Sequence, residues 1–183
     1  MLFSKFLGLA AAFAGFVSAL PTTLSTLSPR ATTTNSTGSG SVTIVNHTPD
    51  VLYLWSVADA ASNNMVTVPA NGGTYVEGWR LNPDGGGISI KMAGDPNQSD
   101  VLQYEYTFVS PTIWWDLSCI NMGKNSHFTQ VGFEVVSDNT NCPSAICPAG
   151  ETQCHDAYNI PTDDHATHGC DCGTHMTLNI GNS

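Results

Sequence analysis

Two stretches of this chain gather side chains able to do chemistry. The first is "LQYEYTFVSPTIWWDLS", residues 102–118. Strand alternation puts Leu102, Tyr104, Tyr106 and Phe108 on one face and Gln103, Glu105 and Thr107 on the other. Pro111 marks a turn, so the two runs read as a hairpin. With the turn centred between Ser110 and Pro111, Glu105 faces Asp116 and Thr107 faces Trp114. A one-residue slip would separate the carboxylates. Two carboxylates held together raise the pKa of one of them, and paired carboxylates are the usual equipment of glycoside hydrolysis. Trp114 beside them could stack on a sugar ring. The competing reading is an incidental acidic pair on a solvated sheet face.

The second stretch is "CHDAYNIPTDDHATHGCDC", with three cysteines, three histidines and four aspartates between Cys154 and Cys172. His165 and His168 form an HxxH, with His155 before them and His175 after. Such a set invites a zinc reading. No ligand quartet has a recognised spacing, however, and the sequence carries no G-x-S-x-G nucleophile elbow. "NPDGGGIS" precedes a strand rather than a helix, so it reads as a turn and not a phosphate loop.

The elements that must hold these residues are strands. Short β-rich runs recur between Gly, Pro, Asn and Asp: "SVTIV", "VLYLWSV", "MVTV", "TYVEGW", "GISIKM", "LQYEYTFV", "TIWWDL", "QVGFEVV" and "MTLNI". That spacing predicts an all-β antiparallel sandwich in one domain over 41–183. Trp79 reads as core and Arg80 as the partner of a neighbouring acid. Residues 20–40, "LPTTLSTLSPRATTTNSTGSG", are Ser/Thr-rich and too poor in apolar groups to order themselves, so they read as a disordered linker.

Compartment decides between the chemistries. Residues 1–19 carry Lys5, the apolar run "FLGLAAAFAGFV" and small residues at a cleavage site, the pattern of a signal peptide. No run reaches the length of a spanning helix, so no membrane insertion is expected. A secreted chain meets an oxidising environment, and its six cysteines fit about three disulfides. Thiols spent that way cannot ligate a metal, so neither metal nor cofactor is expected. Sequons stand at Asn35, Asn46 and Asn97, with Pro49 disfavouring the second. Beyond residue 19 the chain keeps four basic residues (Arg30, Arg80, Lys91, Lys124) and all fifteen acidic ones, a net charge of −11 with neutral histidines. That repels nucleic acid and anionic membranes and leaves neutral polymers, cations or basic proteins as partners.

These motifs also carry a likeness. "CHDAYNIPTDDHATHGC" resembles the "C-P-D-A-Y-S-Y-P-x-D-D-P-T…C" stretch of thaumatin-like proteins. "VTIVNHTPDVLYLWSV", "GGGISIK" and "EYTFVSPTIWWDLS" resemble that family's opening hairpin and its "GGxIWAR" and "AEFxL…YDIS" segments, in the same order. The likeness is to small fungal secreted thaumatin-like proteins described as antigenic or yeast-phase-specific. It implies a sandwich of the thaumatin domain I type without the cysteine-rich second domain. It implies the pairs Cys142–Cys170 and Cys147–Cys154, which leaves Cys119–Cys172 as the third. A further family disulfide is missing at both ends, where this chain has Thr48 and Asn179–Ile180. The family's acidic cleft maps onto Lys91, Glu105, Asp116, Asn121 and Asp156, with Asn121 a neutral replacement.

The expected function is then a secreted, monomeric, cell-wall-associated protein that binds β-1,3-glucan through this cleft. A weak endo-β-1,3-glucanase using the same carboxylates is the enzymatic alternative. A spore-surface or host-facing antigen, adhesin or effector with a vestigial cleft, whose partner is a host surface protein, is the third.

Overall fold

A computed structural model describes residues 39–58 and 64–181. The signal peptide and all of the linker but its last two residues lie outside the described residues, as does Asn35. The described chain is built almost wholly of strands: β1 (Ser41–Asn46), β2 (Leu52–Val57), β3 (Val66–Val68), β4 (Gly73–Gly78), β5 (Ile88–Ala93), β6 (Val101–Val109) and β7 (Thr112–Ser118), then one short helix, α1 (His127–Val131), then β8 (Phe133–Ser137), β9 (Ala145–Cys147), β10 (His168–Asp171) and β11 (His175–Ile180).

The strands form two sheets, ordered β4-β1-β11-β8-β9 and β10-β7-β6-β5-β2-β3. Period-two alternation drives the layering, since each strand aims every second side chain inward. Val42 and Ile44 of β1, Leu178 of β11 and Val135 of β8 meet Leu54, Ile90, Tyr104, Trp115 and Leu117 of the other sheet in one core. Trp79 is fully buried there, between the sheets. Ser126 caps α1 by accepting from Phe128 N, and Phe128 fills the core from that side. Every neighbouring pair is antiparallel except β1 and β11, which run parallel in the middle of the five-stranded sheet. Non-adjacent strands joined by a crossover allow that geometry, which a hairpin does not.

One acid lies in the core. Glu77 on β4 is buried and accepts from Tyr75 Oη at 2.6 Å, from Tyr106 Oη, and from Arg80 Nε at 3.3 Å. Arg80 continues to Ser56 Oγ at 2.7 Å. The ion pair expected of Arg80 is therefore the counter-charge of a buried carboxylate, without which that charge would be very costly.

Two disulfides form, Cys142–Cys170 and Cys147–Cys154, with Cα separations of 5.2 and 5.3 Å. The third pair does not: Cys119 and Cys172 are both free thiols. The reason is strand geometry. Cys172 N donates to Pro111 O at 2.8 Å, at the hairpin end of β7, whereas Cys119 follows Ser118 at the other end. Eight residues of extended chain separate those ends, more than about 20 Å, against a Cα separation of about 4.4–6.8 Å in a disulfide.

Candidate functional site

The site is a set of rungs across the outer face of the six-stranded sheet. β6 and β7 pair in the expected register, with Gln103 opposite Ser118, Glu105 opposite Asp116 and Thr107 opposite Trp114. β5 extends two of these rungs, placing Ser89 beside Glu105 and Lys91 beside Gln103. On the other flank Gly169 of β10 pairs with Trp114. Between these walls lies a cleft of about 540 Å³ lined by Ser89, Lys91, Glu105, Thr107, Trp114, Asp116 and Thr167, among others. Lys91, Glu105, Asp116 and Trp114 thus converge.

Like charges directly opposite one another disfavour ionising both. Burial, and then the Glu105 carboxylate, push the Asp116 carboxyl up to about 7. Asp116 Oδ1 is buried and has no hydrogen-bond partner among the described residues. A carboxyl poised near neutrality can either give or take a proton, and Glu105 stands opposite as its complement.

Gln103 fixes the floor. Its Oε1 accepts from Ser89 Oγ at 3.1 Å, and its Nε2 donates to Ser118 Oγ and Asn121 Oδ1, both at 3.2 Å. Asn121 therefore sits behind Gln103 and is not part of the cleft lining. Its neutral amide suits that role, because it accepts from another amide without adding charge. Asp156 also stands apart from the lining. Its Oδ2 accepts from Ile146 N at 3.0 Å and its Oδ1 meets the His155 ring at 3.2 Å, so it ties the Cys154–Tyr158 loop to β9. Those hydrogen bonds, the backbone one first, hold its carboxyl below the usual range.

Trp114 is 48% exposed, unusual for so large an apolar ring. Gly169 explains its pose. A Cβ there would lie 2.8 Å from the indole Cζ3 and 3.0 Å from Cε3, so only glycine lets the ring lie across β10. Gly169, Thr167, Ser89 and Gln103 belong to the site without being marked out by the sequence pattern. Gln103 was within reach, being two residues from Glu105 on the same face. Gly169 and Thr167 were not, because β10 has no sequence signature of its own.

The histidines do not gather. His155 and His165 contact each other with ring centroids 5.7 Å apart, and His168 packs on Trp115 at 4.6 Å. His175 bonds Ser41 Oγ at 2.9 Å on β1. Among the described residues no group of three histidine, cysteine or carboxylate side chains could hold a metal ion.

Of the sequons, Asn97 is exposed in the turn after β5. Asn46 is a correction. Its side chain is fully buried, with Nδ2 donating to Asp50 O at 2.8 Å and Pro69 O at 3.0 Å, so a glycan there is incompatible with the packing.

Comparison with known proteins agrees with this architecture. A family model described as "Bys1: Blastomyces yeast-phase-specific protein" matches residues 30–181. The secreted thaumatin-like protein calA of Emericella nidulans is 43% identical over 99% of this chain and 98% of its own length. An antigenic thaumatin-like protein of Arthroderma benhamiae is 40% identical over 76% of this chain and 69% of its own. The crystal structure of the protein elicitor MoHrip2 from Magnaporthe oryzae superposes with a TM-score of 0.63 at 17% identity, covering 78% of this chain and 99% of that one, which is a likeness of fold. On the strength of that sequence identity and of the family match, the chain belongs to the secreted thaumatin-like proteins of the yeast-phase-specific family.

Proposed function

We propose that this secreted protein resides at the cell wall and binds β-1,3-glucan in the cleft between β5 and β10. The observation that carries the reading is the Glu105–Asp116 rung beside the half-exposed indole of Trp114. Sugar rings offer an apolar face for stacking and a rim of hydroxyls for hydrogen bonding. Trp114 supplies the first need; Glu105, Asp116, Ser89 and Thr167 supply the second, and a neutral polymer is not repelled by an acidic chain, of net charge −10 over the whole sequence. The test is retention on insoluble β-1,3-glucan. Trp114→Ala should bind about tenfold more weakly, as truncation of an aromatic anchor commonly does. Glu105→Gln combined with Asp116→Asn should lower retention further. Full retention by all three substitutions together would remove the cleft from the reading.

A second reading, weak endo-β-1,3-glucanase activity, is favoured by one observation: the Asp116 carboxyl raised to about 7 opposite Glu105. Acid-assisted glycoside cleavage needs a carboxyl that still carries its proton near neutrality, with a second carboxyl within reach. In this reading Asp116 gives its proton to the leaving glycosidic oxygen, and Glu105 takes a proton from the water that adds to the anomeric carbon as the glycosidic bond breaks. Release of reducing ends from laminarin, abolished by Asp116→Asn, would establish it. Binding without release would leave the protein a lectin-like module.

A further inference from the structure

Trp114 lines two hollows, not one. Its indole borders the carboxylate cleft on one side and, on the other, a second hollow of about 520 Å³ lined by Thr112, Asn139, Asn141, Gly169 and Asp171, among others. On β7, residues 116, 114 and 112 share one face, so the carboxylate rung, the ring and the second hollow succeed one another at steps of about 7 Å along the strand. The second hollow shares Trp114 and β10 with the first and has further supports of its own. The Cys142–Cys170 disulfide pins the 139–142 turn against β10. Asn139 Nδ2 donates to Thr174 Oγ1 at 3.1 Å, and its Oδ1 accepts from Asn141 N at 3.0 Å, which fixes Asn141 at the rim. Asp171 Oδ1 accepts from Gly173 N at 2.8 Å, which orients that carboxylate at the opposite rim.

We infer that this second hollow is an additional sugar subsite, so that the protein binds a linear, neutral oligosaccharide threaded across Trp114 rather than a short segment confined to the carboxylate cleft. The inference rests on the glucan reading above and adds a direction and a length to it. An aromatic platform flanked on both sides by hydrogen-bonding hollows matches a chain whose successive rings each present hydroxyls at their edges. Amide and carboxylate rims, with no cationic residue among the described residues lining the second hollow, select against polyanionic chains. A short ligand satisfies only one hollow and the ring. A longer one reaches both.

Calorimetry with β-1,3-linked glucose oligomers, a trisaccharide and a hexasaccharide, tests this on the full mature protein. The wild type should bind the hexasaccharide at least about tenfold more tightly than the trisaccharide. The double substitution Asn141→Ala with Asp171→Asn, at two exposed positions, should weaken hexasaccharide binding about three- to tenfold and leave the trisaccharide unchanged. An unchanged melting temperature would verify that the double variant is folded. Equal affinity for the two oligomers, or a length dependence that survives the double substitution, overturns the second subsite while the carboxylate cleft stands. Failure to bind either oligomer overturns both.

Discussion

Asp116 is the residue on which the chemistry of the cleft turns. Its carboxyl, ordinarily near 3.8, is raised to about 7 by burial and by Glu105. In the window between those values the folded state keeps a proton that the unfolded chain has lost. Unfolding free energy from this residue therefore falls as pH rises from about 4 to about 7 and stays reduced above it. The lowered carboxyls of Asp95, Asp156 and Asp163, held by hydrogen bonds, act with the opposite sign, losing stability as pH drops below the usual carboxylate range. Stability should thus peak in mildly acid solution. Asp116→Asn should flatten the fall toward neutrality and be more stable than wild type by about 1–2 kcal/mol at about pH 8, allowing for solvent screening of a partly exposed pair. Urea denaturation at about pH 5 and about pH 8 measures this. An unchanged slope in the variant would mean that Asp116 ionises normally.

At the scale of elements, the disulfide pattern gives a direct check. Peptide mapping under non-reducing conditions should recover Cys142–Cys170 and Cys147–Cys154, with alkylation of Cys119 and Cys172 after unfolding. Before unfolding Cys119 should react slowly, since burial raises its thiol to about 12. A Cys119–Cys172 peptide would contradict the strand order. The β6–β7 hairpin was legible because alternation and a single proline fix both faces and the turn, and register follows from those two alone. Glu105 opposite Asp116 came from that arithmetic. β9 and β10 were not legible. They have three and four residues, lie in Cys-, His- and Gly-rich sequence, and exist because a longer neighbour and a disulfide hold them. The mistaken Cys119–Cys172 pair has the same origin. Elimination counts cysteines, but only the position of β10 along β7 tells which end each occupies. Asp156 likewise has the composition of a cleft residue, and only the three-dimensional path of its loop sends it to β9 instead.

Across the whole molecule, the corner around Thr48, where the resemblance implies a crosslink that this chain lacks, is held by a buried polar knot. Asn46 Oδ1 accepts from Thr48 Oγ1 at 2.7 Å and Thr48 N at 3.1 Å, while its Nδ2 reaches the carbonyls of Asp50, Val68 and Pro69. His47 N adds a bond to Ile180 O at 2.9 Å, and His47 Nε2 meets Asn179 Oδ1 at 3.1 Å. Thr48 also lies against the end of β11: a Cβ on Gly181, the residue after Ile180, would lie 2.8 Å from Thr48 Cγ2. Because the knot is buried, breaking it leaves carbonyls without donors. Asn46→Ala should cost about 2–4 kcal/mol in urea unfolding, well beyond a surface substitution. A loss under about 0.5 kcal/mol would show that the knot does not stabilise this corner.

The parallel pairing of β1 with β11 has a consequence in time rather than in space. Among the described strands β11 is the last in chain order, yet it occupies the middle of its sheet, between β1 and β8. While the chain emerges, β1 and β4 can meet, and β8 can meet β9, but the two halves have no common strand. Assembly of that sheet must wait until β11 has emerged, after every other described strand.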